Sequence, residues 1–192
     1  MLKSAYFFKK TFRKLLKLSN NYVISNKCEC FDNYINIFGY FDYIFSISSN
    51  ARDFVDVAEL ITIEASLVPL RLVGKPMCED NPLVSYYSAP SPSAKINLWF
   101  VNFDFINSCY RKNRKWFNGR YNIAIFWWEF EDYFTNTQCF EFVDEIIVFS
   151  SVTCLALQKV VQDKVKLTKL EYPFIIHQAN LSPIETLAYH EI

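Results

Sequence analysis

The stretch "NIAIFWWEFED", Asn122 to Asp132, indicates the fold of this chain. It begins with an unbroken apolar run, Ile123 to Phe126, which is typical of a strand covered on both faces of a parallel sheet. Two tryptophans and three acids follow directly, at the point where such a strand would leave the sheet. The stretch therefore predicts a buried parallel strand that ends in bulky rings and carboxylates.

Segments of strand and helix character alternate between residues 34 and 177. The predicted strands are 34–41, 69–74 ("PLRLVG"), 96–102, 122–128, 144–150 and 164–174, and the predicted helices are 50–66, 136–142 and 151–161. This alternation predicts an α/β fold, a Rossmann-like parallel sheet of about six strands with helices on both faces. Right-handed crossovers would bring the carboxyl ends of all strands to one edge of the sheet.

Composition limits the function. The 192 residues suffice for one good core, 52% of them are hydrophobic, and the formal net charge is zero. A neutral chain argues against nucleic acid as a partner. The six cysteines include no C-x-x-C pair, so we expect reduced thiols and no metal site. The chain contains no run of about 18 apolar residues, so no transmembrane helix is predicted.

Residues 1–20 differ from the rest of the chain. These residues include six basic side chains and no acid, since the first acid of the chain is Glu29, and apolar residues recur among them at helical spacing. The segment predicts a basic amphipathic helix, for which two interpretations stay open. The helix packs on the domain, or it lies on an anionic membrane surface. The predicted localisation is cytoplasmic, with a peripheral position at the inner face of the membrane in the second case.

Polar and aromatic side chains follow several predicted strands. In open α/β sheets, ligands bind outside the carboxyl ends of the strands. Tryptophan faces suit sugar rings, carboxylates accept sugar hydroxyls, and a helix start suits an anion. The alternative is that the rings belong to the core and the acids are simply solvated. The candidate ligand-binding residues are Ser46, Ser48, Asn50, Asn102, Asp104, Trp127 and Glu129; no catalytic residue is assigned.

Three parts of the chain carry a resemblance to a known family: "GYFDYIFSISSNAR" (39–52), "INLWFVNFDF" with "FNGRYNIAIFWWEFE" (96–105 and 117–131), and "VDEIIVFSSVTCLAL" (143–157). Together they resemble the N-terminal half of a GT-B glycosyltransferase of family 4, also called group 1. The resemblance implies two Rossmann-like domains that face each other across a cleft. The N-terminal domain would hold a sugar or glycolipid acceptor, and the other would hold a nucleotide-sugar donor. Glu129 and the tryptophan pair would then line the acceptor side.

The chain also departs from that family. Ser46, Ile47, Ser48 and Ser49 stand where the family has Gly-x-Gly-Glu, so side chains occupy the place where the backbone would approach a diphosphate. The Rossmann-like domain covers 34–177, and 178–192 reads as a tail or the start of a linker to a donor domain. We therefore expect no sugar transfer by this chain alone. One alternative is an acceptor-side domain that is either a fragment of a truncated or split gene or a subunit completed by a separate donor-domain chain. The other is a non-catalytic binding or protein-interaction module.

The two interpretations of residues 1–20 predict different results in a vesicle co-sedimentation assay. If the helix lies on the membrane, the protein binds anionic vesicles, and binding weakens in high salt because each basic residue contributes about 1 kcal/mol near such a surface. Deleting residues 1–18 would then abolish binding, and neutral vesicles serve as the control. Equal sedimentation of the full and shortened chains would show that the helix does not hold the protein on the membrane.

Overall fold

A computed structural model describes residues 34–75, 94–127, 137–161 and 165–172. The predicted N-terminal helix and the 178–192 tail lie outside these ranges. The elements are β1 (Tyr34–Gly39), α1 (Ser46–Leu60), β2 (Glu64–Pro69), β3 (Ile96–Trp99), α2 (Phe103–Lys112), α3 (Arg114–Phe117), β4 (Tyr121–Ile125), a 3₁₀ helix (Thr137–Glu141), β5 (Glu145–Val148), α4 (Ser151–Val161) and β6 (Lys166–Lys169).

The six strands form one sheet in the order β2-β1-β3-β4-β5-β6, and every neighbouring pair is parallel. This confirms the predicted α/β class. The order reverses at β1, because the chain moves to one side to form β2 and then returns past β1 to form β3. The gap beyond the ends of β1 and β3 is therefore a topological switch point, where ligands bind in sheets of this type.

Helices cover both faces of the sheet, as predicted. Phe38 and Gly39 are adjacent in β1, so their side-chain positions point to opposite faces. On the Gly39 face, α1 packs so closely that an added Cβ would lie 2.9 Å from Ala51 Cβ. On the Phe38 face, the ring of Trp116 in α3 lies 5.6 Å from the Phe38 ring. No helix among the described residues has the length and apolar character needed to cross a membrane.

Three rings stack in the core on the Phe38 face. The Phe38 and Trp99 ring centroids are 3.7 Å apart, and those of Trp99 and Phe117 are 4.1 Å apart. All three side chains are almost completely buried. The indole nitrogen of Trp99 donates a hydrogen bond to Asn122 Oδ1 at 3.1 Å, so the apolar stack is joined to a polar group in the next strand.

That polar group belongs to a row of buried asparagines across β1, β3 and β4. Asn36 pairs in register with Asn97, and Asn97 with Asn122. Asn36 Nδ2 donates to Asn97 Oδ1 at 2.8 Å, and Asn97 Nδ2 donates to Asn122 Oδ1 at 2.8 Å. We call these three residues the asparagine row. Because a buried amide without partners costs about 1–3 kcal/mol, the row is stable only when the three strands are in this register.

The asparagine row also holds the segments that lead into the strands. Asn36 exchanges hydrogen bonds with the backbone of Ala94, just before β3. The other two amides donate to backbone carbonyls of α3, Asn97 to Trp116 and Asn122 to Phe117. The row therefore fixes both the sheet and the helix that covers it.

The second predicted strand was misplaced. The structure has β2 at Glu64–Pro69 and not at 69–74, and α1 covers Ser46–Leu60 and not 50–66. Thr62 adopts the left-handed conformation, with φ 58°, and ends the helix without a glycine. Ile61 and Ile63 are both buried, so the apolar pattern continues through this break and hides it. The predicted helix 136–142 is a short 3₁₀ helix, and the other strands are shorter than predicted.

Replacing Asn97 by Ala tests the asparagine row. The substitution removes one acceptor and two donors from a buried site, and it leaves the amides of Asn36 and Asn122 short of partners. We expect the free energy of unfolding to fall by about 3 kcal/mol, measured by urea denaturation. Asn118→Ala, at an exposed position, is the matched control and should change it by less than about 0.5 kcal/mol. Similar effects of the two substitutions would contradict this role.

Candidate functional site

A cleft of about 470 Å³ lies at the carboxyl ends of β1, β3 and β4. We call it the rim cleft. It occupies the switch point of the sheet, between the loop that leads into α1 and the start of α2. Its lining residues are Tyr40, Phe45, Ser46, Ile47, Leu72, Asn102, Phe103, Asp104, Phe105 and Trp127. An open cleft at this place in a parallel sheet is where a ligand site is expected.

Four of the seven predicted site residues lie together in the rim cleft. Ser46 begins α1, in the turn whose first N–H groups have no acceptor within the helix. Asn102 precedes α2 and makes no side-chain capping bond, so its amide is not used by the helix. Asp104 lies in the first turn of α2, where the helix dipole favours a carboxylate. Trp127 follows β4 and lines the same cleft.

Two of the other predicted residues, Ser48 and Asn50, are not among the described residues that line this cleft. Ser48 is completely buried, and its hydroxyl has no hydrogen-bond partner. Asn50 lies further along α1, where its side-chain oxygen is 2.9 Å from the hydroxyl of Tyr172. Glu129 lies outside the described residues, so its place at the acceptor side stays a prediction. The serines that replace the family's glycines form a regular helical turn, and none of them has positive φ.

Aromatic contacts fix the ring of Trp127. Its centroid lies 5.2 Å from that of Phe149, which follows β5, and 5.4 Å from that of Tyr172, which follows β6. The Trp127 indole nitrogen is buried and has no hydrogen-bond partner. A large ring that is held in place at the edge of a cleft loses little freedom when a flat ligand stacks on it.

Tyr172 connects the end of the described sheet to α1. Its hydroxyl lies 2.6 Å from Asp53 Oδ2 and 2.9 Å from Asn50 Oδ1. Because a phenol carries a single hydrogen, we assign donation to the carboxylate, at a length typical of a charge-assisted bond. Burial raises the pKa of Tyr172, and the hydrogen bond to Asp53 raises it further. The phenol therefore stays protonated and keeps the aromatic cluster against α1.

The charge of the rim cleft suits a neutral, hydroxyl-rich ligand. Asp104 is the one ionisable acid among the described lining residues, and these include no base. Burial raises the pKa of Tyr40, so its phenol remains neutral and acts as a hydrogen-bond donor or acceptor. The described residues contain no group of three His, Cys, Asp or Glu side chains that could hold a metal ion.

Sequence reasoning missed the apolar walls of the rim cleft. Tyr40 is the next-to-last residue of the predicted strand 34–41, and Phe105 lies three residues after the predicted strand 96–102. Phe45 lies just before α1 and Leu72 lies shortly after β2, and only the fold brings these two side chains to one cleft. Nearness to a predicted strand end was therefore a usable signal for Tyr40 and Phe105 and not for Phe45 and Leu72.

Replacing Tyr172 by Phe tests the connection between the sheet edge and α1. The ring contacts remain, but Asp53 loses the hydrogen bond donated by the phenol, and Asn50 loses its contact with the same hydroxyl. We expect the free energy of unfolding to fall by about 1–2 kcal/mol in urea denaturation. The control is Tyr110→Phe, which removes a hydroxyl that accepts only an exposed bond from Arg114 and should cost less than about 0.5 kcal/mol. A loss that is no larger for Tyr172→Phe than for the control would refute the connection.

Comparison with known proteins gives no match to this chain among protein-family models, curated proteins or solved structures. The likeness to glycosyltransferases therefore rests on the three sequence segments quoted above. The structure adds the parallel sheet and the location of the rim cleft.

Proposed function

We propose that the rim cleft binds a sugar, as the acceptor-side domain of a GT-B glycosyltransferase would. The observation that carries the proposal is that Trp127, Asn102 and Asp104 line one cleft. A fixed indole offers a face for the C–H groups of a sugar ring, while the amide and the carboxylate offer partners for its hydroxyls. A cleft that has one acid and no base among its described lining residues favours such a ligand over a phosphate.

The proposal assigns acceptor binding to the described domain and does not assign it sugar transfer. In the family that the sequence resembles, a nucleotide-sugar donor is held mainly by another domain, and a glycine-rich loop lets the backbone approach the diphosphate. Here the corresponding turn is helical and contains the buried side chain of Ser48. Without positioning of an activated donor, the main source of rate enhancement in group transfer is absent.

A second candidate function is protein interaction. Apolar side chains are exposed around the carboxyl edge of the sheet, including Ile44 at 84%, Val73 at 92% and Phe105 at 47%. Grouped apolar residues on a surface are typical of interaction sites. This interpretation includes a separate donor-domain chain as partner, and it requires no sugar binding by the described domain alone.

Saturation-transfer NMR with methyl glycosides of common hexoses and N-acetylhexosamines tests the sugar-binding proposal. We expect at least one of them to bind, and Asp104→Asn to weaken binding about tenfold because a charged acceptor becomes a neutral amide. Glu59→Gln is the matched control, since Glu59 is exposed at the far end of α1. Equal affinities of wild type and Asp104→Asn would contradict the proposed site, and absence of any binding would favour the interaction module.

A further inference from the structure

A second cleft, of about 550 Å³, lies between the segment that follows β2 and the helices α2 and α3. We call it the side cleft. Tyr40, Leu72 and Phe105 line both clefts, so the side cleft continues from the rim cleft. Its remaining lining residues are Pro69, Leu70, Arg71, Val73, Ser108, Cys109, Lys112, Asn113 and Trp116.

The side cleft has a charge opposite to that of the rim cleft. Arg71, which follows β2, and Lys112, in α2, contribute two cations, and no acid is among the described lining residues. Burial raises the pKa of Cys109 to about 11, although the positive charge of Lys112 opposes the shift. The thiol therefore stays neutral and adds no negative charge to the cleft.

The two cations differ in how they are held. Arg71 Nη1 lies 2.9 Å from Oδ2 of the buried Asp42, so the guanidinium is positioned by an ion pair. Lys112 forms no hydrogen bond or ion pair with the described residues, and its exposed side chain is in the last turn of α2. The negative end of a helix favours a cation there and by itself accounts for Lys112. It does not account for the second cation, Arg71, which comes from the segment that follows β2.

Trp116 gives an independent indication of a missing acceptor. It lines the side cleft, and its indole nitrogen is buried without a hydrogen-bond partner. Buried donors are nearly always paired in folded proteins, so each exception requires an explanation. A ligand that accepts a hydrogen bond would satisfy the Trp116 donor and attract both cations.

We infer that the side cleft binds an anionic group, a phosphate ester or a carboxylate, with Lys112 and Trp116 as its principal donors and Arg71 as an additional positive charge. The inference does not depend on sugar binding in the rim cleft, since the cations, the indole donor and the cavity belong to the side cleft alone. If both sites are occupied by one molecule, the shared wall allows a ligand with a neutral ring and a negatively charged end.

Titration of the protein with inorganic phosphate, and in parallel with acetate, tests this inference at constant ionic strength. The readout is the set of backbone amide resonances from Ser108 to Asn113 in heteronuclear NMR spectra. We expect saturable shifts, weakened at least about tenfold in Lys112→Met and roughly threefold in Trp116→Phe. Arg71 is left unchanged, because removing it would leave the buried Asp42 carboxylate without its cation.

Lys159→Met is the matched control, because Lys159 is also an exposed lysine in the last turn of a helix, α4, and lies outside both clefts. It should bind as the wild type does. Saturation by phosphate alone identifies a phosphate ester as the ligand group, and saturation by acetate as well extends the site to carboxylates. Shifts that do not saturate with either anion, or an unchanged affinity in Lys112→Met, would overturn the inference. Failure of the sugar experiment would leave this outcome unaffected.

Discussion

The asparagine row is the interaction on which the arrangement of the described domain depends. Each of its amides is buried and bonded to the next, so the three strands share one satisfied network. A slip of one residue in any of these strands would turn an asparagine to the opposite face and leave its neighbours unpaired. Hydrophobic burial stabilises many arrangements of similar apolar strands, whereas the row stabilises a single register.

The register then decides where the strands end and hence where the rim cleft forms. With β1, β3 and β4 fixed relative to one another, the residues that follow them meet at one edge: Tyr40, Asn102 and Trp127. The loops after β1 and β3 diverge because the strand order reverses there. The rim cleft opens between them, and the side cleft lies next to it, between the segment that follows β2 and the helices α2 and α3. The two clefts share three lining residues and differ in charge. Polar interactions at one end of the sheet therefore position the proposed binding groups at the other end.

The serines at the start of α1 are the point at which this domain differs most from the family that its sequence resembles. They form an ordinary helical turn, so they avoid the strain that a glycine-type conformation would impose. The side chain of Ser48 in that turn is buried, and its hydroxyl has no hydrogen-bond partner. A helix start of this kind is compatible with the proposed binding of a sugar acceptor in the rim cleft. Its side chains prevent the close approach of the backbone that a diphosphate requires.

The sequence by itself determined the fold class and much of the rim cleft. Continuous apolar runs separated by helical patterns require a parallel sheet with both faces covered, and residues after strand ends must share one edge, which located Asn102, Asp104 and Trp127. Only the tertiary structure decided the pairings between distant residues. The members of the asparagine row are 61 and 25 positions apart, and Tyr172 is 119 positions from Asp53. It also decided that Arg71 and Lys112 line the same cleft. Such pairs depend on register and on the packing of whole elements, whereas local periodicity carries information only about which face of its own element a residue occupies.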